Sequence, residues 1–463
     1  MNTVKLVPCD EFFLREEPIG KMIKLSGEDY LNRIERLIGK MRENSLDYIV
    51  IYGDREHFMN MEYVSGFDPR FEEALSIIDW NGNVNLLTGP EGKGYACKIE
   101  YPVSVTLYPN FGLQGQPRDQ MKELPEIFAA VGITAASRVG VVGYKYLTDK
   151  QGVVLRDRFD IPGYILEDLK SIACDVQNYT DLFTGLPDGL RMSIMSAKEI
   201  AVIDYMNANV SNVFLRLFKG MKAGITELEL SGVPAYMHPA NVHPMICFGE
   251  KSSEIGLKSP EDVALNTGDI ASICYSQRYS LTCRSGIAAH DKSDCKNGLE
   301  QEFEKFYAEY YRAVAAWYGA VRIGAETGHI YDMVHKIVGE EYYGLLLNPG
   351  HNISSDEWSN SSFSKGSTIK LHNGSHLQCD IIACGSNPVK KAICEDGIIL
   401  ADEKLREDLQ KEYPEIYAKI QKRRQMMRDV LGIDVSEDVL PMSNLCGVYW
   451  PFMLDKSRIF AVS

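Results

Sequence analysis

Asn348-Pro349-Gly350-His351-Asn352-Ile353 is the stretch from which the rest of the chain can be read. A Pro-Gly pair precedes the histidine, and Asp356, Glu357 and Trp358 follow on the next loop. Imidazole titrates near neutral pH, so His351 is the first candidate for moving a proton, with Asp356 or Glu357 to orient it.

Outward from this segment, the 463 residues and 45% apolar content are enough for a large core and predict at least two domains. A formal charge of -15 argues against nucleic acid or an anionic membrane surface as main partner and favours a small molecule or short peptide. The chain has no run of about 18 apolar residues, and charged residues follow Met1-Asn2-Thr3-Val4-Lys5, so a cytoplasmic protein is expected. Eleven cysteines without a Cys-x-x-Cys pair read as reduced thiols.

Strand-like runs at 47–52, 74–79, 84–87 and 138–142 alternate with helical patterns at 30–41 and 124–131, predicting an α/β domain over residues 1–188. The turn Leu186-Pro187-Asp188-Gly189 ends it. Ser196-Ala197-Lys198-Glu199 then reads as a capping box opening a helix over about 197–218. Residues 189–463 continue with a strand entered from Leu265 to Ile270, helices near 299–321 and 330–338, strand-like segments between Gly366 and Cys384, and a helical tail from Glu403 to Leu431. That texture is α+β. Lys422-Arg423-Arg424 reads as a solvated helix face, and Val448-Tyr449-Trp450-Pro451-Phe452 as an aromatic cap on the core or a subunit contact.

The order of a capped helix after Arg191, the Gly268-Asp269 turn, Pro349-Gly350-His351, Gly366 and Cys379-Asp380-Ile381-Ile382 resembles the creatinase, aminopeptidase P and prolidase superfamily. Tyr63-Val64-Ser65-Gly66-Phe67 and Glu72-Glu73-Ala74-Leu75 extend the resemblance into the first half. It implies an N-terminal α/β domain and a C-terminal α+β "pita-bread" domain, in which two pseudo-symmetric halves enclose a pocket, commonly in a homodimer.

Metal-dependent members hold two ions with two aspartates, one histidine and two glutamates, since hard cations need several anionic oxygens. The resemblance places these positions on Cys274, on Leu281 beside Arg284, on His351, on His372 and on Cys379. Only the histidine is retained in that alignment, which implies a cavity too poor in oxygen donors for a metal pair. Creatinase, a metal-free member, uses a histidine upstream of the Gly-Asp turn, and Gly249 to Leu257 contains none.

Several readings of the pocket compete. His351 is a general acid or base while Arg284 and Arg70 clamp a carboxylate, or all three make only structural contacts. Cys274, His351, His372 and Cys379 could hold a single zinc ion, although buried cysteine is commonly a plain small hydrophobe. A Cys274 or Cys379 nucleophile beside His351 is a further option. His376 suits a solvated Asn-Gly hairpin as well as a site, and His243 before Pro244 suits a pocket rim or a plain turn. In a last reading the pocket is inert and the fold binds peptides, as non-catalytic pita-bread domains of histone chaperones do.

The expectation carried forward is a two-domain protein, without a cofactor, that hydrolyses or eliminates at a C–N bond of a small nitrogen-containing carboxylate. Its catalytic residues are His351, Asp356 and Glu357. Arg284, Arg70, His243, Trp358 and His372 line the substrate.

Overall fold

The computed structural model describes residues 3–119, 121–233, 242–296 apart from 255–257, 298–385 and 390–463; the side chains of residues 242, 243, 253 and 254 lie outside this description. The chain divides into two compact units. One is Lys24–Met192, and the other joins Met1–Ile23 to Ser193–Ser463.

In the first unit, the strand order is Ser104–Leu107, Val84–Thr88, Ala74–Asp79, Tyr48–Gly53, Arg138–Val142 and Asp175–Asn178, a six-stranded mixed sheet. Alternation along the strands sends Ile49, Ile51, Ala74 and Ile78 to one face, and Val50, Tyr52, Leu75, Ile77 and Val141 to the other. Ile34, Leu37 and Met41 of helix Gly27–Glu43 cover the first face; helices Leu124–Val131 and Gly163–Ile172 cover the second. A sheet buried on both sides explains why its strands read as nearly continuous apolar runs.

The second unit carries two four-stranded antiparallel sheets. Their orders are Ile393–Glu395, Ser280–Ile287, Ile270–Gln277, Val242–Phe248, and His351–Asn352, His376–Gln378, Gly397–Leu400, Val439–Pro441. Each half repeats one local plan. Helix Ala197–Gly220 ends in a turn at Gly224, whose N–H donates to Leu265 O; helix Glu309–Ala320 ends in a turn at Gly324, whose N–H donates to Leu371 O. Both glycines sit at positive φ, 86° and 84°, where a side chain would strain the backbone. These repeated turns give the α+β region its two pseudo-symmetric halves.

Three features depart from the sequence reading. Residues 1–23, assigned above to the first domain, belong to the second unit: Val4–Pro8 pairs antiparallel with Arg458–Val462, a contact between the two ends of the chain that no local pattern announces. The tail helix is two helices, Glu403–Glu412 and Pro414–Asp429, because proline cannot continue the first ladder. Arg423 and Arg424 are buried rather than solvated. Arg423 donates from Nε to Glu17 Oε1 at 2.9 Å and from Nη1 to Asp204 Oδ1 at 2.7 Å, so the charged face is turned inward by partners distant in sequence. Among the described residues no helix is long and apolar enough to cross a membrane.

Candidate functional site

His351 enters its short strand from Gly350, whose φ of +116° only glycine adopts easily. The strand pairs His351 with Gln378, and a Cβ at position 350 would lie 2.9 Å from Gln378 O and 3.1 Å from the Trp317 ring. Gly350→Ala is therefore expected to cost about 1–3 kcal/mol. It should also displace the neighbouring imidazole, which thermal unfolding and cation-binding measurements on one variant would detect together.

The ring is held from two sides. Nδ1 donates to Asn352 O at 3.1 Å, and the Trp358 ring stacks on it at 4.1 Å between centroids, 18° from parallel. Nε2 takes no part in that bond. It faces Glu395 Oε1 at 3.5 Å, Glu357 Oε1 at 3.6 Å and Asp380 Oδ2 at 3.9 Å. His351 Nε2, Glu395 Oε1 and Asp380 Oδ1 have no hydrogen-bond partner among the described residues. His351, Asp380 and Glu395 are all buried, and Glu357, 37% exposed, reaches toward solvent.

These separations are too long for hydrogen bonds. They suit donors around an ion: ligands about 2.0–2.2 Å from a tetrahedral centre stand about 3.3–3.6 Å apart. One ligand atom from each of His351, Asp380 and Glu395 lies within 4.8 Å of the others. Burial pushes the Asp380 carboxyl well above its ordinary value, and Glu395 pushes it further. Burial likewise raises Glu395, with Glu357 and the Cys283 thiol adding to it. Such a cluster of buried carboxyls around one imidazole would be balanced by a dication.

Two thiols lie in line with Glu395 on the neighbouring strands of its own sheet. Cys274 lies directly opposite Cys283 across the Ile270–Gln277 and Ser280–Ile287 strands, and Cys283 lies opposite Glu395 on the next strand. Burial raises the Cys274 thiol well above its ordinary range, and the neighbouring Cys283 thiol adds to it. A low-pKa nucleophile needs the reverse shift.

The structure sorts the residues expected from sequence. His351, Glu357, Trp358 and Cys274 come together. Asp356 lies on the same loop, where its carbonyl accepts from Ser354 N–H at 3.0 Å, and it is not one of the three carboxylates facing Nε2. Arg284 is no substrate clamp, because its donors are spent inside the core: Nε on Val448 O, Nη1 on Cys283 O and Glu395 O, and Nη2 on Leu445 O and Asp396. Arg70 belongs to the other unit, where it is exposed with φ of 62°. The side chain of His243 lies outside the described residues.

The proposed zinc set of Cys274, His351, His372 and Cys379 is not assembled. His372 is half-buried in its Asn-Gly turn, with Nδ1 donating to Asn373 O at 2.9 Å, and Cys379 packs into the main apolar core. Cys379 and Asp380 are adjacent and point apart, so a slip of one residue exchanged a core thiol for a ligand carboxylate. The residues missed were Asp380, Glu395 and Cys283. Their signal was present: Asp380 interrupts an apolar run, and Glu395-Asp396 sits between Ala392-Ile393-Cys394 and Gly397-Ile398-Ile399-Leu400.

His376 is not solvated either. It is 3% exposed, neither ring nitrogen has a partner among the described residues, and burial, reinforced by His351, lowers its pKa to about 3. The unfolded chain, with an ordinary value of 6.5, takes up this proton first. The histidine's contribution is therefore intact above pH 6.5 and drains away as the pH falls, by ~1.4 kcal/mol per unit. Urea unfolding of the wild type at pH 6.5 and pH 5 should differ by about 2 kcal/mol more than unfolding of His376→Gln. Equal slopes would mean that His376 is protonated in the native state.

No protein-family profile and no curated protein matches this sequence. Solved structures do. A prolidase from Thermococcus sibiricus superposes with a TM-score of 0.63 at 17% identity, over 81% of this chain and 95% of that one. A Xaa-Pro dipeptidase from Bacillus anthracis gives 0.60 at 14% identity, over 81% and 96%. The N-terminal domain of the FACT complex subunit SPT16 from Cicer arietinum gives 0.56 at 14% identity, over 82% and 95%. With its N-terminal α/β part and its α+β part of two pseudo-symmetric halves, the chain has the pita-bread fold of the prolidases and Xaa-Pro dipeptidases.

Proposed function

We propose that this protein is a metal-dependent hydrolase that cleaves the C–N bond of a short peptide or similar small nitrogen-containing carboxylate. The observation that carries the reading is the convergence of Asp380, Glu395 and Glu357 on Nε2 of His351, at separations suited to an ion and not to hydrogen bonds. This replaces the metal-free reaction expected from sequence, which rested on an alignment that left out both buried carboxylates.

His351, Asp380 and Glu395 would hold the cation. When bound, such a cation polarises a carbonyl oxygen and makes water acidic enough to attack near neutral pH. The chain's own groups supply the rest. Glu357, the most exposed of the three carboxylates, is placed to take a proton from an attacking water and return it to the leaving amine. Trp358 fixes the imidazole plane by stacking and shields one of its faces from solvent. Asp380, at 3% exposure, would be a ligand shielded from bulk water.

The likeness to the SPT16 domain keeps a second reading in play, a peptide-binding module without turnover. One experiment separates them. Protein stripped by chelator and reloaded with Mn²⁺, Co²⁺ or Zn²⁺ is assayed on Xaa-Pro dipeptides, guanidino acids and N-methylated amino acids, alongside His351→Ala. The hydrolase reading expects turnover that needs the cation and disappears in the variant. Thermal stabilisation by peptide with no turnover under any loading would favour the binding module.

A further inference from the structure

We infer that the short peptide this site takes carries a bulky apolar side chain, aromatic or branched aliphatic, seated in a cleft lined by Trp358, Tyr331, His335, Leu346 and Leu347. This deepens the hydrolase reading and rests on it for the choice of a peptide.

Trp358 joins the cleft to the candidate centre. One face of its indole is taken by the His351 imidazole, so what it offers the cleft, a space of about 370 Å³, is the opposite face and the edge. Tyr331 and His335, one turn apart on helix Thr327–Val338, supply two more rings, stacked at 3.7 Å between centroids and 22° from parallel. His335 Nδ1 donates to Tyr331 O at 3.0 Å and so fixes the imidazole against the phenol. Flat rings held in place give an apolar side chain a large contact area.

Leu346 and Leu347 complete the lining at 60% and 47% exposure. Successive residues of a regular strand point to opposite sides, which would bury one of them. The chain bends at Leu347 instead, and both face solvent. Single exposed leucines are common, but two in succession beside three rings make a continuous apolar surface at the edge of the candidate centre. In a chain with 64 Asp+Glu and 49 Lys+Arg, the lining holds no carboxylate, ammonium or guanidinium. A charged side chain entering there would lose water and gain no partner, whereas an apolar one gains by leaving water. Glu357, the proposed proton carrier, directly precedes Trp358, so the cleft and the chemistry share one loop. The indole and imidazole stack at 4.1 Å and an extended peptide advances about 3.3–3.6 Å per residue. The side chain in the cleft therefore belongs to a residue within about two positions of the cleaved bond.

The test is a calorimetric titration of the full-length protein, with and without Co²⁺, against trialanine and the three tripeptides that place one Phe among two Ala. In the wild type at least one Phe tripeptide should bind at least ~10-fold more tightly than trialanine. Leu347→Ser and Tyr331→Ala should abolish that preference, whereas Leu113→Ser, at an exposed leucine of the other unit, keeps it. In the Co²⁺-loaded enzyme the loss in the two cleft variants should fall on KM, as lost uniform binding does. Leu347→Asp puts a carboxylate at an exposed position and should shift the preference to the tripeptide with Lys in place of Phe, a change that misfolding cannot produce. Equal affinity for trialanine and every Phe tripeptide, or a Phe preference that survives in both cleft variants, would overturn the cleft and leave the His351 centre standing. Phe-selective binding without turnover under any cation would overturn the hydrolase reading and leave the cleft as the seat of a bound peptide.

Discussion

Glu395→Gln is expected to weaken divalent-cation binding at least ~100-fold while making the cation-free protein more stable. Perturbing groups that merely support metal ligands already costs about 10–100-fold in affinity, and Glu395 is placed as a ligand. The amide keeps the shape of the side chain and removes its charge. Its NH₂ can donate to Glu357 or Asp380, so the replacement leaves no new group stranded. The opposite sign in the cation-free protein follows from burial. The folded state holds the Glu395 proton more tightly than the unfolded chain does, because burial raises its pKa and Glu357 raises it further. Wild-type stability therefore falls as the pH climbs past the ordinary glutamate value of 4.5. Glutamine has no proton to lose, so the variant's advantage should grow with pH and reach on the order of 1–3 kcal/mol. Calorimetric titration with Zn²⁺ and chemical unfolding under chelator measure the two halves. A variant that loses stability without chelatable metal would show that Glu395 serves the fold and not an ion.

Arg284→Met should destabilise the protein by about 3–5 kcal/mol, the cost of leaving a buried charge without its partner. Asp396 is that partner. It is fully buried, and even with the guanidinium beside it burial raises its carboxyl pKa to about 6. Removing Arg284 also strips donors from the carbonyls of Cys283, Glu395, Leu445 and Val448. Lysine should not rescue the variant, since one ammonium cannot reproduce a planar fork that satisfies acceptors on three sides. Urea unfolding gives the number. Native stability combined with a raised KM alone would restore the arginine to the substrate-clamping role that its sequence position suggested.

Glu395 and Arg284 mark where legibility stopped. The six-stranded sheet was readable because strands buried on both faces are apolar throughout, and the segments 47–52, 74–79, 84–87 and 138–142 are. The helix after Ser196 was readable because its cap is local: the serine side chain accepts from Glu199 N–H. His351 stood out because a Pro-Gly turn marks it. Asp380 and Glu395 were present as charges inside apolar runs, but their meaning depended on strand alternation, which a one-residue error inverts. Arg423 and His376 look solvated from their neighbours in sequence; Arg423 is buried by partners hundreds of residues away, and His376 is buried on a central strand, paired with Ile399.

By itself the sequence determined the composition of the apolar strands, the boundary near residue 188 and the Pro-Gly pair that precedes one histidine. Those features depend on residues within a few positions of one another. Which donors meet that histidine was decided only in three dimensions, since Glu357, Asp380 and Glu395 reach it from separate segments. Charge at a single point depends on distances between side chains, and the register between strands, not the order of residues along them, sets those distances.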